Sequence, residues 1–238
     1  DNYAVIRIPK KGCIVRSHRL GNTKRRGFKE ESFQKSIQKY FGTHFIISGE
    51  VRLNTGKDTR PFEPDIAIID KKKEKNIRID VEIDEPYAAI TRQPTHCKGD
   101  DVMRDTYFAD RGWLVIRFSE FQVHTQETEC LKYLAFVIRS IDSNYTFSND
   151  LNSPINLKAE KLWDIVQAQK WEKARYREQY LNHEFGVIPE IIETVERDFS
   201  EQEILEEKLV NPSIIGVEDK GQSVGYNKVN FHPRDKRI

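Results

Sequence analysis

The spacing of apolar residues predicts a helix followed by strands in the first half of the chain. One apolar stripe has helical spacing and precedes Gly42, a natural helix end: Phe33, Ile37, Tyr40 and Phe41. Three strand-like runs follow, "HFIISGEVRL", "FEPDIAIID" and "NIRIDVEID", separated by turn residues and the charged tip "KKKEK". The segment "DDVMRDTYFADRG" predicts a second helix that ends at Gly112, and "WLVIRFS" predicts a strand buried on both faces.

The order of helices and strands over residues 28–142 indicates an α/β core that ends with the amphipathic helix "CLKYLAFVIRSI". A turn-rich stretch at 142–154 makes a natural boundary. Residues 155–210 predict a helical C-terminal region, whose first helix has one apolar side: Leu162, Ile165, Val166 and Gln169. Residues 211–238 contain several Gly and Pro residues and are expected to be loosely ordered. Residues 1–27 combine short N-terminal strands with a basic arm.

The composition is that of a globular protein with a real core, since 37% of the residues are apolar and 11% are aromatic. No run of about 18 apolar residues is present to predict a membrane span. Cys13, Cys97 and Cys130 form no C-x-x-C pair, which argues against a disulfide framework and a cysteine-rich zinc site. We therefore expect a soluble protein in the reducing cytoplasm, with no membrane partner.

The net charge of +1 conceals an uneven distribution along the chain. Residues 1–29 hold nine Lys or Arg and one acidic residue, whereas residues 184–208 hold nine Asp or Glu against two Lys or Arg. A basic arm of this kind indicates a polyanionic partner, and the alternative is a plain solubilising segment.

The hairpin "PDIAIIDKKKEKNIRIDVEIDE" carries carboxylates at strand positions, where they are unfavourable unless they are solvated or paired. If its tip is centred near residue 73, residue i lies opposite residue 147 − i, which places Asp65 beside Glu82 on one face. Alternation keeps Asp80 and Asp84 on the same face, so the carboxylates crowd a patch about 5–7 Å across. The patch predicts either a solvated sheet face or an oxygen-rich site for Mg²⁺ or Mn²⁺.

The dipeptide "PD" at 64–65 and the strand "VEID" at 81–84 resemble the core motif of the PD-(D/E)XK nuclease superfamily. The segment "RDTYFADRGWLVIRFSE" at 104–120 is similar to the helix and strand of the very-short-patch repair endonuclease-like branch. The resemblance covers about residues 28–122. It implies a restriction endonuclease-like core, in which helices flank a mixed central sheet and two adjacent strands carry a metal site.

Carried over to this chain, the resemblance makes Asp65 and Glu82 the metal-binding pair, and it makes Glu30 the helix carboxylate that completes the site. Asp84 takes the place of the superfamily lysine, and the very-short-patch-like branch also has an aspartate there. We expect Asp84 to bind a second cation or to orient the water. That branch carries a histidine downstream of the strand, which suggests His96 as a proton shuttle or as a hydrogen-bond donor to phosphate. A lone histidine is also common as a structural or exposed residue.

These residues predict metal-assisted hydrolysis of a phosphodiester bond, in which Mg²⁺ or Mn²⁺ lowers the pKa of a bound water. The basic arm directly precedes Glu30 and is expected to contact the nucleic-acid backbone. The residues assigned to this contact are Arg16, Arg19, Lys24, Arg25, Arg26, Lys29 and Arg104. Arg117 has two interpretations, a phosphate contact or a structural pair with Asp105 or Glu120.

The leading hypothesis is a divalent-metal-dependent DNA endonuclease in transposition, restriction or repair. A second hypothesis, favoured by the missing lysine, is a nuclease fold kept as a non-catalytic nucleic-acid-binding or scaffolding subunit. A third is an RNase or the DNA-cutting subunit of a transposase, because no sequence feature separates these from a DNA endonuclease. The C-terminal helices are expected to mediate assembly with a second copy or with partner subunits.

Overall fold

The computed structural model describes residues 1–22, 25–56, 60–72 and 75–186. The strands are β1 (Asn2–Tyr3), β2 (Val5–Arg7), β3 (Arg19–Leu20), β4 (Phe45–Ser48), β5 (Val51–Arg52), β6 (Ile66–Asp70), β7 (Arg78–Asp84), β8 (Leu114–Ser119) and β9 (Glu160–Lys161). The helices are α1 (Glu30–Phe41), α2 (Val102–Ala109), α3 (Glu120–Thr125), α4 (Glu127–Ile141), α5 (Ile165–Lys173) and α6 (Tyr176–Leu181). None of the helices in this part of the chain is both long and apolar enough to cross a membrane.

Five strands form one mixed sheet in the order β2–β8–β7–β6–β4. β4, β6 and β7 are antiparallel neighbours, β7 and β8 run parallel, and β2 pairs with β8 in the antiparallel sense. A parallel pair needs a long crossover, and the connection from β7 to β8 contains α2. The predicted α/β class, with a mixed sheet flanked by helices, is confirmed.

The β6–β7 hairpin has the predicted register. Ile66 lies opposite Val81, so residue i faces residue 147 − i along the pair. The same relation brings Asp65, directly before β6, beside Glu82 on β7. Since a slip of one residue would have moved Asp65 to the other face, the register is the first condition for a shared site.

The two faces of the sheet pack against different helices. α1, α3 and α4 cover one face, where the odd-numbered residues of β7 join the larger apolar core. α2 covers the other face through Phe108, which packs with Trp113. Asp80, Glu82 and Asp84 point to this second face because side chains alternate along β7. At most 3% of each is exposed, so the alternative of a solvated sheet face is wrong.

The N-terminal segment contributes to the sheet as well as to the arm. β2 is an edge strand of the five-stranded sheet, although the sequence pattern placed residues 1–27 outside the core. β3 pairs with β5 in a separate two-stranded sheet. Strands of two or three residues have too few positions to show a period, so the pattern could not assign their partners.

Two short helices follow an extended segment after the core. The carboxylate of Asp164 accepts the main-chain N–H of Gln167 and caps α5, so the residues before it are not helical. The predicted apolar side is therefore wrong, and Ile165 and Val166 are 55% and 69% exposed. Residues 187–238, with the rest of the predicted helical region and the predicted loose tail, lie outside the described residues.

Arg177 anchors α6 to the core. Its guanidinium donates two hydrogen bonds to Glu120, each of 2.8 Å, and only 1% of the residue is exposed. The hydroxyl of Tyr87 donates to Glu178 on the same helix (2.8 Å), while the main-chain carbonyl of Tyr87 accepts from Arg177. Glu120, one of the two predicted partners of Arg117, therefore pairs with Arg177 instead.

Arg177→Met should lower the free energy of unfolding by about 3–5 kcal/mol, because it leaves the buried Glu120 carboxylate without its partner. Arg175→Gln is the matched control, since Arg175 is two residues away and its pair with Glu184 is exposed. That control should change the free energy by less than about 1 kcal/mol. Urea unfolding measures both, and equal effects of the two variants would contradict the anchoring role.

The hydrogen bonds that Glu178 accepts from Tyr87 and Arg92 should make the free energy of unfolding depend on pH. Burial alone would raise the pKa of the Glu178 carboxyl, but hydrogen bonds from Tyr87 and Arg92 lower it below its ordinary value of 4.5. Because the pKa of Glu178 in the folded protein lies below 4.5, its carboxylate stabilises the fold fully at pH values above 4.5. This stabilisation is lost as the pH falls through the folded-state pKa. The stability difference between wild type and Glu178→Gln, measured by urea unfolding, should therefore be full near neutral pH and shrink in acid. A difference that is independent of pH would disprove the ionised pair.

Candidate functional site

The candidate site is built on a row of side chains across three neighbouring strands. Glu82 on β7 lies opposite Arg117 on β8 and beside Asp65 at the start of β6. The main-chain N–H of Asp65 donates to Oε1 of Glu82 (3.0 Å), and that of Ile83 donates to Oδ2 of Asp65 (2.8 Å). These bonds fix both carboxylates relative to the sheet.

A cavity of about 680 Å³ opens over this row. Four of the five predicted catalytic residues line it: Glu30, Asp65, Glu82 and His96. Glu30 is the first residue of α1, is buried, and accepts the main-chain N–H of Gly27 (2.6 Å). The helix carboxylate and the two strand carboxylates thus share one cavity.

Part of the cavity wall is apolar and aromatic. It is lined by Phe28, Phe62, Ile90 and Phe185. Phe28 is 43% exposed, and its ring lies 4.6 Å from the ring of His183 and 5.7 Å from that of Phe185. Flat aromatic faces next to cations suit a planar ring attached to a charged group, as in a nucleotide.

Arg104, on α2, supplies positive charge to the strand carboxylates. Its guanidinium donates to Asp80 (3.1 Å) and to Glu82 (2.7 Å), and also to the main-chain carbonyl of Glu63 (2.8 Å). Burial alone would lower the pKa of Arg104, but Asp80 and Glu82 raise it. The side chain predicted to contact phosphate therefore also neutralises the acidic row.

Arg117 is the centre of a second group of buried charges. Its Nε and Nη2 donate to the two oxygens of Asp84 (2.9 and 2.7 Å), and its Nη1 donates to Asp105 (2.8 Å). Nη2 also lies 3.0 Å from Oδ2 of Asp101. Burial alone would lower the pKa of Arg117, but the surrounding carboxylates raise it well above its ordinary value. The predicted pairing of Arg117 with Asp105 is confirmed.

Asp84 is bound by protein groups on both of its oxygens. The hydroxyl of Tyr3 donates to it (2.9 Å) in addition to Arg117, and Asp84 does not line the cavity. Asp84, His96 and Asp101 each offer a ligand atom, and these atoms lie within 4.8 Å of one another. Nη2 of Arg117 is 2.7, 3.1 and 3.0 Å from those three side chains, so a cation there must displace the guanidinium. Metal binding by Asp84 stays a prediction, and the geometry favours a role in holding Arg117.

His96 lies between the cavity and the Arg117 group. Its Nδ1 is 2.9 Å from Asp101 and 3.5 Å from Asp84. Burial alone would lower the pKa of His96, but Asp84 and Asp101, together with Glu85, raise it to about 10. An imidazolium at neutral pH can donate a hydrogen bond to phosphate and cannot accept a proton. Of the two predicted roles, the raised pKa favours a hydrogen-bond donor to phosphate.

Glu85 is a cavity residue that the sequence pattern missed. It is out of phase with the alternation of Asp80, Glu82 and Asp84, and it reaches the cavity because β7 ends at Asp84. Burial raises the pKa of the Glu85 carboxyl to about 7. The only sequence signal was the length of the acidic run "VEIDE", which extends one residue beyond the strand.

Asp80 differs from the other acids of the row because it is fully buried. Burial raises the pKa of its carboxyl well above the ordinary value, the neighbouring Glu82 raises it further, and Arg104 opposes both effects. Arg104 therefore offsets both the burial of Asp80 and its repulsion from Glu82.

The predicted basic contacts divide between two places. Three of them line the cavity: Arg25, Arg26 and Arg104. Two line a separate cleft: Arg16 and Arg19. Lys29 directly precedes α1 and belongs to neither lining, and Lys24 lies outside the described residues. The cavity lining also contains Arg60, which the sequence pattern missed.

Metal binding by Glu30, Asp65 and Glu82 stays a prediction, because among the described residues the three ligand atoms that lie within 4.8 Å of one another belong to Asp84, His96 and Asp101. Carboxylate oxygens are the preferred ligands of Mg²⁺ and Mn²⁺, and Glu30, Asp65 and Glu82 place three carboxylates on the wall of one cavity. Asp65 and Glu82 would hold the cation, and Glu82 would share its charge between the cation and Arg104.

Comparisons with protein-family models, with curated proteins and with solved structures found no match for this chain. The chemistry of the site therefore rests on its own side chains.

Arg104→Met should lower the free energy of unfolding by about 3 kcal/mol, because Asp80 and Glu82 lose a partner that is only 14% exposed. Arg104→Lys should have a smaller effect, since an ammonium keeps the charge but cannot reproduce the planar fork that contacts both carboxylates. Urea unfolding at neutral pH measures both variants. If Arg104→Met is as stable as wild type, the acidic row does not depend on Arg104.

Proposed function

We propose that this chain is a divalent-metal-dependent phosphodiesterase that cuts DNA, with a restriction endonuclease-like core and a helical C-terminal region. The observation that carries the proposal is the adjacency of Asp65, directly before β6, and Glu82 on the antiparallel β7, with Glu30 in the same cavity. Carboxylates gathered around a cavity lower the stability of a fold unless their charge is compensated. A cation held for metal-assisted hydrolysis would supply that compensation and would explain why the carboxylates are gathered there.

In this proposal Asp65 and Glu82 hold the cation, and Glu30 orients the attacking water from the N-terminal end of α1. A bound Mg²⁺ or Mn²⁺ would lower the pKa of that water and offset negative charge at the phosphorus. The imidazolium of His96 donates a hydrogen bond to a phosphate oxygen. Arg104 keeps Glu82 in position through its 2.7 Å contact and adds positive charge beside the scissile phosphate.

Nucleic acid is the proposed substrate because the cavity combines cations with aromatic faces. Arg25, Arg26 and Arg60 offer charge to the phosphate backbone, and Phe28 and Phe185 offer surfaces for stacking with a base. Backbone contacts position a strand without choosing its sequence, which leaves transposition, restriction and repair as alternative settings. RNA has the same phosphodiester linkage, so the cleavage experiment must compare DNA with RNA as substrates.

A non-catalytic nucleic-acid-binding subunit is the second candidate. The observation in its favour is that Arg104 and Arg117 neutralise Glu82 and Asp84 without a cation. Asp84 also takes the place of the lysine that the wider superfamily carries. In this second candidate the arginines of the cavity would bind the backbone, and the carboxylates would serve only to hold the arginines.

Cleavage of supercoiled plasmid, single-stranded DNA and RNA tests the proposal. Wild type should cut at least one of these polymers in Mg²⁺ or Mn²⁺ and none in excess chelator. Asp65→Asn and Glu82→Gln should each lower the rate at least about a hundredfold, which corresponds to about 2.7 kcal/mol of transition-state stabilisation. Glu31→Gln is the matched control, because Glu31 is the exposed neighbour of Glu30 on α1, and it should cut like wild type.

Unfolding of each variant, followed by circular dichroism, separates lost chemistry from lost structure. Folded Asp65→Asn and Glu82→Gln proteins that bind DNA but do not cut it agree with the nuclease. Wild type that binds DNA equally well with and without metal, and cuts none of the three polymers, supports the binding subunit instead. Cutting that persists in both variants would place the catalytic centre elsewhere.

A further inference from the structure

A second cleft, of about 370 Å³, lies outside the carboxylate cavity and is lined by arginines. Among the described residues its charged lining consists of Arg16, Arg19, Arg52 and Arg111. Ser17, Asn54 and Tyr107 add hydroxyl and amide groups. A concave surface with four guanidinium groups and hydrogen-bonding neighbours has the chemistry of a phosphate site.

Two of the arginines face each other across a strand pair. β3 and β5 are antiparallel, and Arg19 lies directly opposite Arg52. Side chains at such positions share one face, about 5 Å apart at their Cβ atoms, so two like charges there are destabilising. Nε of Arg52 is moreover buried without a hydrogen-bond partner among the described residues. A buried donor in this state is destabilising, and an anion bound on the shared face of the two strands would relieve both penalties.

The rest of the cleft is held in place by the turn after α2. Gly112 has φ +77°, and a Cβ on it would come within 2.8 Å of the Val15 side chain, so glycine lets the arm approach closely. The main-chain N–H of Arg16 donates to the carbonyl of Arg111 (3.4 Å). The guanidinium of Arg111 lies over the Tyr107 ring, 3.3 Å from its centroid. The cleft is therefore assembled from three separate segments of the chain.

The cleft and the cavity are close neighbours. Leu53 lines the cleft and Phe62 lines the cavity, and the two residues are bridged to each other. Tyr107 lines the cleft and Arg104 lines the cavity, and they are adjacent on the surface of α2, about 4.5 Å apart along its axis. Neighbouring residues of the same two segments therefore line both sites, so a single nucleic-acid strand that lies along this surface passes both.

We propose that the arginine cleft binds a backbone phosphate of the nucleic acid, a few nucleotides away from the phosphate held at the carboxylate cavity. The inference rests on the proposed function only in taking nucleic acid as the ligand. It assigns Arg52 and Arg111, which no sequence pattern singled out, to the same role as Arg16 and Arg19. The cleft sets the path of the strand and does not take part in the reaction.

The test is the affinity of a short labelled DNA for Arg19→Gln/Arg52→Gln, measured by fluorescence anisotropy in chelator over a range of salt concentrations. Chelator removes cleavage from the readout, so a failure of this inference and a failure of the proposed nuclease give different results. We expect affinity to fall roughly tenfold, and the slope of log K against log salt to become about 0.7–0.9 less negative for each phosphate that the variant no longer binds. The decrease should be the same for unrelated DNA sequences.

Lys170→Gln/Lys173→Gln is the matched control, because it removes the same charge from an exposed face of α5. Equal decreases of DNA affinity in the two double variants would contradict phosphate binding in the cleft and indicate a general effect of charge. Inorganic phosphate separates a free anion from the backbone. If phosphate raises the Tm of wild type but not of Arg19→Gln/Arg52→Gln, while both bind DNA equally, the cleft takes a small anion and the inference is wrong. A Tm of Arg19→Gln/Arg52→Gln in phosphate-free buffer that equals or exceeds that of wild type shows that a weaker affinity does not come from unfolding.

Discussion

Carboxylates that project from a strand into the space beneath a helix need positive charge from that helix or from the next strand. In this fold Arg104 reaches Glu82 from α2, and Arg117 reaches Asp84 from β8. Each uncompensated carboxylate at such a depth costs several kcal/mol. The position of α2, the register of the parallel pair and the shape of the cavity are therefore linked, because a shift in any one of them would separate an arginine from its acid.

The acids of the row are not equivalent, and the difference follows from depth. Asp80 is fully buried and pairs with Arg104, and Asp84 is bound on both oxygens by Arg117 and Tyr3. Asp65 and Glu82, together with Glu85 beyond the end of β7, line the cavity. The same sheet face thus holds a part that maintains the fold and a part with access to a ligand.

The sequence was most informative where the relevant pairing is local. Asp65 and Glu82 belong to two strands that follow each other along the chain, so the hydrophobic pattern of one short segment is enough to predict their register. Arg117 comes to Glu82 through a crossover of about thirty residues, whose docking no short pattern encodes. Glu85 was missed for a related reason, because it enters the cavity only where the alternation of β7 stops. The arginine cleft joins three distant segments, which no local pattern along the chain can bring together.

The parallel pairing of β7 with β8 also bears on how the chain folds. The β6–β7 hairpin is a local structure, whereas β8 must close a long loop before it can pair, and such pairings form slowly. Until then Glu82 and Asp84 have no arginine beside them, and ionised acids crowd a nascent two-stranded unit. We therefore expect the hairpin to be populated early only when its acids are protonated or screened.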